Sequence, residues 1–131
     1  MRQTRRFVLV SIGCVSGLPL MLAAGFGFCT DTRVDGTAAK LRALVADAPA
    51  ACALGRSYRA RFPEEEKQAV LTGLLCSSLG LGVRGIAAQD TDALLSRLDS
   101  RVREDFSCGD TVQVNGWVLA RTEARLCALC K

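Results

Sequence analysis

The side chains in this chain most suited to chemistry are its cysteines. There are seven. Cys127 and Cys130 stand three positions apart, the spacing of a redox dithiol or of half a metal site. A redox pair works best at a helix N-terminus, where the dipole stabilises a thiolate. This pair falls at the far end of a predicted helix, where the dipole opposes one. An all-cysteine metal site would need Cys108 and either Cys52 or Cys76 as well, and only one pair has ligand spacing. A disulfide from Cys108 to either Cys127 or Cys130 suits an exported domain better. Cys52 and Cys76 then read as small core hydrophobes. With Cys14 in the N-terminal segment and Cys29 near its exit, five remain in the domain, an odd number, so at least one thiol stays free or pairs with another chain.

The chain has no histidine. That removes Ser-His-Asp and Cys-His catalysis, histidine-ligated haem and mixed Cys/His zinc sites. Glu104, Asp105 and Glu123 are acids on predicted helices, but none has a recognisable partner at catalytic spacing. No glycine-rich fingerprint follows a strand. We therefore expect no catalysis, no cofactor and no metal. The Glu64-Glu65-Glu66 run fits a helix start, where carboxylates meet the positive end of the dipole, better than a cation site.

The net charge is +4, and Arg2, Arg5 and Arg6 supply three of those charges ahead of an apolar run. The other arginines alternate with Asp and Glu. That pattern is a mixed-sign solvated face, so nucleic acid is not an expected partner. From Phe7 to Thr30 no side chain is charged. A basic start, an apolar stretch through Leu18–Ala24 and small residues at Gly25 and Gly27 make a secretory signal over residues 1–29. Cleavage after Gly25 or Gly27 is favoured over retention as an anchor, because Pro19 and the glycines weaken a permanent span. Lipidation is disfavoured, with a very short apolar stretch before Cys14 and a large Phe28 before Cys29.

Thr4-Arg5-Arg6-Phe7-Val8-Leu9 resembles the twin-arginine translocation signal, with Arg5 and Arg6 as its paired arginines. Val8 departs from the usual Phe, and no Lys follows Leu9. The resemblance implies the twin-arginine translocase as a partner and the periplasm or cell envelope as the destination. Any membrane contact would run through the N-terminal segment alone.

Residues 30–36 read as a linker and 37–131 as one domain. Leu41, Leu44 and Val45 share a helix face, Asp47-Ala48-Pro49 starts a new helix, and Leu54, Tyr58 and Phe62 recur every four residues. Pro63 reads as a further helix start. Val70, Leu71, Leu74, Leu75 and Leu79 form a stripe ended by Gly80, Gly82 and Gly85. Asp90 is a good N-cap for a helix carrying Leu94, Leu95, Leu98, Val102 and Phe106. Asp99 with Arg103 and Arg101 with Asp105 read as surface pairs. Asn115-Gly116 between Thr111–Val114 and Trp117–Leu119 is a hairpin signal over residues 111–119. Trp117 is its core or interface anchor. Thr122–Cys130 is a last helix. The expected fold is mainly α, a bundle of four to five helices with one short β-hairpin.

The block from Arg103 to Leu129, with Val-Asn-Gly-Trp-Val-Leu-Ala-Arg-Thr-Glu-Ala-Arg-Leu-Cys at its centre, is similar to the C-terminal part of small signal-bearing bacterial proteins. On size, signal type and helical content, the chain also loosely resembles the small accessory subunits of exported flavin dehydrogenases. That resemblance implies an escort or small subunit carrying a larger partner. The alternative is a stand-alone binding or structural module of the periplasm.

Overall fold

The computed structural model describes residues 32–130. The signal motif at Arg5 and Arg6, with Cys14 and Cys29, lies outside the described residues. Within them are six α-helices, a single 3-10 turn and a two-stranded hairpin near the C-terminal end. The mainly helical bundle with its hairpin is as expected, with more helices than the four to five read from sequence.

α1 (Thr32–Arg42) starts at once, so residues 32–36 are helical and not linker. Gly36 weakens a helix but does not forbid one. α2 (Ala48–Arg61) opens where Asp47 caps it, its carboxylate accepting from the Ala50 N–H at 3.2 Å. Pro63–Glu65 makes only the 3-10 turn, and α3 (Gln68–Ser78) begins after Lys67. Gly80, at φ +66°, turns the chain out of α3. α4 (Val83–Ala88) is a short helix containing Gly85, where the sequence read only a terminator. Asp90 caps α5 (Thr91–Cys108), accepting from Ala93 N–H at 2.7 Å.

α5 ends on Gly109 at φ +73°. The Asp110 N–H reaches back to the Asp105 carbonyl at 2.8 Å, and that of Gly109 to Phe106 at 3.3 Å. This six-to-one and five-to-two pairing closes the helix and turns the chain into the hairpin. β1 (Thr111–Val114) pairs antiparallel with β2 (Trp117–Ala120), with Val114 opposite Trp117. Asn115 and Gly116 both take positive φ, as a two-residue hairpin turn requires. α6 (Arg121–Ala128) follows without a loop.

α6 lies at the centre, packing on α1, α2, α3, α5 and both strands. Its tightest neighbour is α2. A Cβ built on Gly55 would stand 2.1 Å from the Cys127 carbonyl oxygen and 2.9 Å from the Ala128 Cα. Both obstacles are backbone, so only glycine fits. Arg59, one turn along α2, donates to the carbonyls of Ala128 and Cys130 and satisfies the end of α6.

The N-terminal end of α6 is served from α5. Ala120 offers no capping side chain. The Thr122 N–H instead donates to Oδ2 of Asp105 at 2.8 Å, and the Arg121 N–H to the Asp110 carbonyl at 3.0 Å. Asp105 is fully buried. Its Oδ1 lies 2.8 Å from Arg101 Nη2, at ion-pair distance but outside hydrogen-bond geometry. Arg101 and Asp105 do pair, as their spacing had suggested, but the carboxylate is buried and not at the surface. Phe106, read as a core residue, is 36% exposed. The two exchange places because Asp105 lies seven residues beyond buried Leu98, on the same helical face.

Two predictions follow from this packing. Gly55→Ala should cost about 3 kcal/mol and lower the melting temperature by more than roughly 10 °C. Asp105→Ala should cost about 3 kcal/mol in urea unfolding, since it strips the cap from the buried Thr122 N–H and leaves half-buried Arg101 without its carboxylate, whereas Phe106→Ser should cost less than about 1. Equal losses at 105 and 106 would contradict the buried position of the carboxylate.

Candidate functional site

An apolar cleft of about 90 Å³ opens between the α1–α2 connection, α5 and α6. One wall comes from the α1–α2 connection, with Leu44 and Val45, and from α2, with Leu54. Leu95, Leu98 and Val102 of α5 make the other. α6 supplies the floor, with Glu123, Leu126 and Cys127. Leu95 and Val102 sit seven residues apart, beside the Leu94–Leu98 face that enters the core. They form a second apolar stripe along α5, and that stripe leaves the cleft open.

Glu123 is the chemically distinctive group. It stands at the third position of α6, and its side chain bonds the backbone of Ala120, half of a capping box. Burial pushes its carboxyl up to about 7, with the Ala120 bond pulling only weakly the other way. Near neutral pH both forms are present. The neutral form donates a hydrogen bond, and the charged form pairs with a cation. Beside it the Cys127 thiol is pushed up to about 12, first by burial and then by the Glu123 charge. It remains a thiol and is no nucleophile at neutral pH.

A second polar cluster ties the 3-10 turn to α6. Arg125 grips Glu65 with two bonds, Nε to Oε2 at 2.9 Å and Nη2 to Oε1 at 2.8 Å. The buried Tyr58 hydroxyl donates to Oε2 of the same carboxylate at 2.7 Å. Arg125 holds the Glu65 carboxyl below its ordinary value against the opposing effect of burial. Glu65 thus works as a tertiary clasp and not, as read from sequence, as a dipole partner at a helix start. The Tyr58 ring meets Phe62 at a tilt of 38°, and Phe62 also takes the guanidinium of Arg121 at 5.1 Å from its ring centre. Every group here is occupied by its neighbours, which is what a structural cluster requires.

The residues singled out from sequence are dispersed. Cys108 is exposed at the end of α5, while Cys127 and Cys130 are buried. No disulfide joins the five described cysteines, and the thiol hydrogen-bonded to Cys130 belongs to Cys52, not to Cys108. Trp117 is half-buried and packs against the core from β2. Among the described residues, no three acidic or cysteine side chains are arranged to hold a metal ion, and no helix is long and apolar enough to cross a membrane. Glu123 was noted in sequence only as an unpartnered acid. Its signal lay in its position, three residues past a hairpin end and on the face that carries Leu126 and Cys127.

Comparison with family models, curated proteins and solved structures finds no match for this chain. The fold and the cleft therefore stand on their own geometry.

Glu123 gives a pH prediction. Its pKa is raised in the fold, so the native state holds the proton more tightly than the unfolded chain. Stability contributed by this group is full below about pH 4.5 and falls as pH rises to about 7. Glu123→Gln keeps the acceptor and removes the titration. Against this variant, the parent should lose up to about 3 kcal/mol between pH 4.5 and 8 in urea unfolding. Parallel curves would show that the carboxyl is not buried as described.

Proposed function

We propose that this chain is an exported accessory protein, an escort or small subunit of a larger envelope oxidoreductase, with no catalysis of its own. The observation that carries the reading is the pair Arg5-Arg6 before an uncharged apolar run, at the head of a chain that folds into a compact bundle. Twin-arginine export moves folded proteins, and a folded escort can bring a partner that lacks a signal.

The cleft supports this by its size. Sites that enclose a whole small ligand run to about 300–1,000 Å³. A cleft of about 90 Å³ takes one apolar side chain. Its walls are mainly aliphatic, with Asp47 at the α1–α2 connection, and burial raises the Glu123 carboxyl on its floor to about 7. These are the features of a partner's anchoring residue meeting its pocket.

The second reading, a stand-alone periplasmic binding module, draws on the same Glu123, which could hold the polar end of a small apolar ligand. One experiment separates the two. The tagged protein is recovered from its native envelope by affinity, and both bait and companions are identified by mass spectrometry. A stoichiometric oxidoreductase without its own signal is the expected companion. Replacing both Arg5 and Arg6 by Lys should strand bait and companion together in the cytoplasm. Bait recovered alone and monomeric would leave the stand-alone module.

A further inference from the structure

We propose that Cys52 and Cys130 are the pair that closes a disulfide in this protein, fastening α2 to the segment just beyond α6. Two separate features of the packing bring them together. The first is the α2–α6 crossing. Gly55 meets the Cys127 carbonyl backbone to backbone. Cys52 is one turn back from Gly55, and Cys130 lies three residues beyond Cys127, so each sits one step from the closest approach. The second is direct contact, since the Cys52 and Cys130 thiols are hydrogen-bonded to each other. A disulfide needs its sulfurs to close only a short further distance between elements already held together. Arg59, donating to the Cys130 carbonyl at 2.9 Å, fixes the backbone on that side.

The other cysteines are placed for other roles. Cys108 is exposed at the end of α5. Cys76 is buried in α3, where burial raises its thiol. Cys127 lines the cleft beside Glu123. Burial raises the Cys130 thiol and the neighbouring Cys52 raises it further, with Arg42 and Arg59 opposing only in part.

The reaction is a thiol–disulfide exchange. One thiolate attacks a sulfur of a disulfide oxidant and releases one reduced thiol. The second thiolate then displaces the other half. One S–S bond forms in the protein, one breaks in the oxidant, and the two protons and two electrons end on the oxidant's two thiols. The oxidant used in the test is glutathione disulfide.

The proposal is independent of the export reading, because it is tested on purified protein. The full chain, held in mild detergent, is equilibrated with glutathione disulfide, alkylated and mapped by mass spectrometry without reduction. A peptide joining Cys52 to Cys130 is expected, with Cys108 alkylated. Closing a loop of about 80 residues should raise the melting temperature by roughly 10 °C, reversed by a phosphine reductant. Cys108→Ser should keep that reductant-sensitive shift, and Cys52→Ser should abolish it. Cys130 found bonded to Cys127, to Cys108 or to an N-terminal cysteine would overturn the assignment. So would free Cys52 and Cys130 thiols after oxidation of the parent chain.

Discussion

Where α2 crosses α6, the two backbones touch. Nothing larger than hydrogen fits between Gly55 and the Cys127 carbonyl. Much else in the bundle follows from that approach. It brings Arg59 within reach of the last carbonyls of α6, and Arg61 within 2.6 Å of the Gln113 carbonyl on β1. It also sets Cys52 beside Cys130, and Leu54 over the cleft floor. Backbone contact of this kind gains close packing along both helices and tolerates almost no variation in spacing.

α6 has little helix-forming support of its own. At eight residues it is too short to persist alone in water. Its N–H groups are satisfied by a carboxylate and a carbonyl from other elements, and its end carbonyls by an arginine of α2. It is a helix because its surroundings complete it. The same borrowing explains Glu123. With Asp105 already serving the Thr122 N–H, the Glu123 side chain reaches only to the Ala120 backbone and otherwise faces apolar walls. A carboxyl so placed is poised between its two protonation states.

The parts legible in sequence are those decided within a few residues. Asn115-Gly116 specifies its turn because both residues tolerate positive φ, and Asp47 and Asp90 cap α2 and α5 through their own side chains. Gly109 ends α5 for the same local reason. The illegible parts depend on distant partners. Asp105 looked like half of a surface pair because nothing in its own helix shows that α6 will arrive at its carboxylate. Glu65 looked like a dipole partner because Arg125 lies 60 residues away. α4 was hidden by its glycines, though Lys40 of α1 holds its closing carbonyl at Ala87. The cleft could be traced only in part, through the doubled leucines of α5, since its floor comes from a different stretch of chain. Of the cysteines, Cys127 and Cys130 drew notice by spacing, whereas the thiol that meets Cys130 is 78 positions earlier.

The position of α6 along the chain bears on how the protein is made. Every described element that it packs against leaves the ribosome before it does. α1, α3 and α4 pack on one another without it, but the faces of α1, α2, α3 and α5 that meet α6 stay uncovered until residues 121–128 emerge. The bundle is complete only once those residues are in place. The docking of α6 is thus the step that turns separate helices into one core.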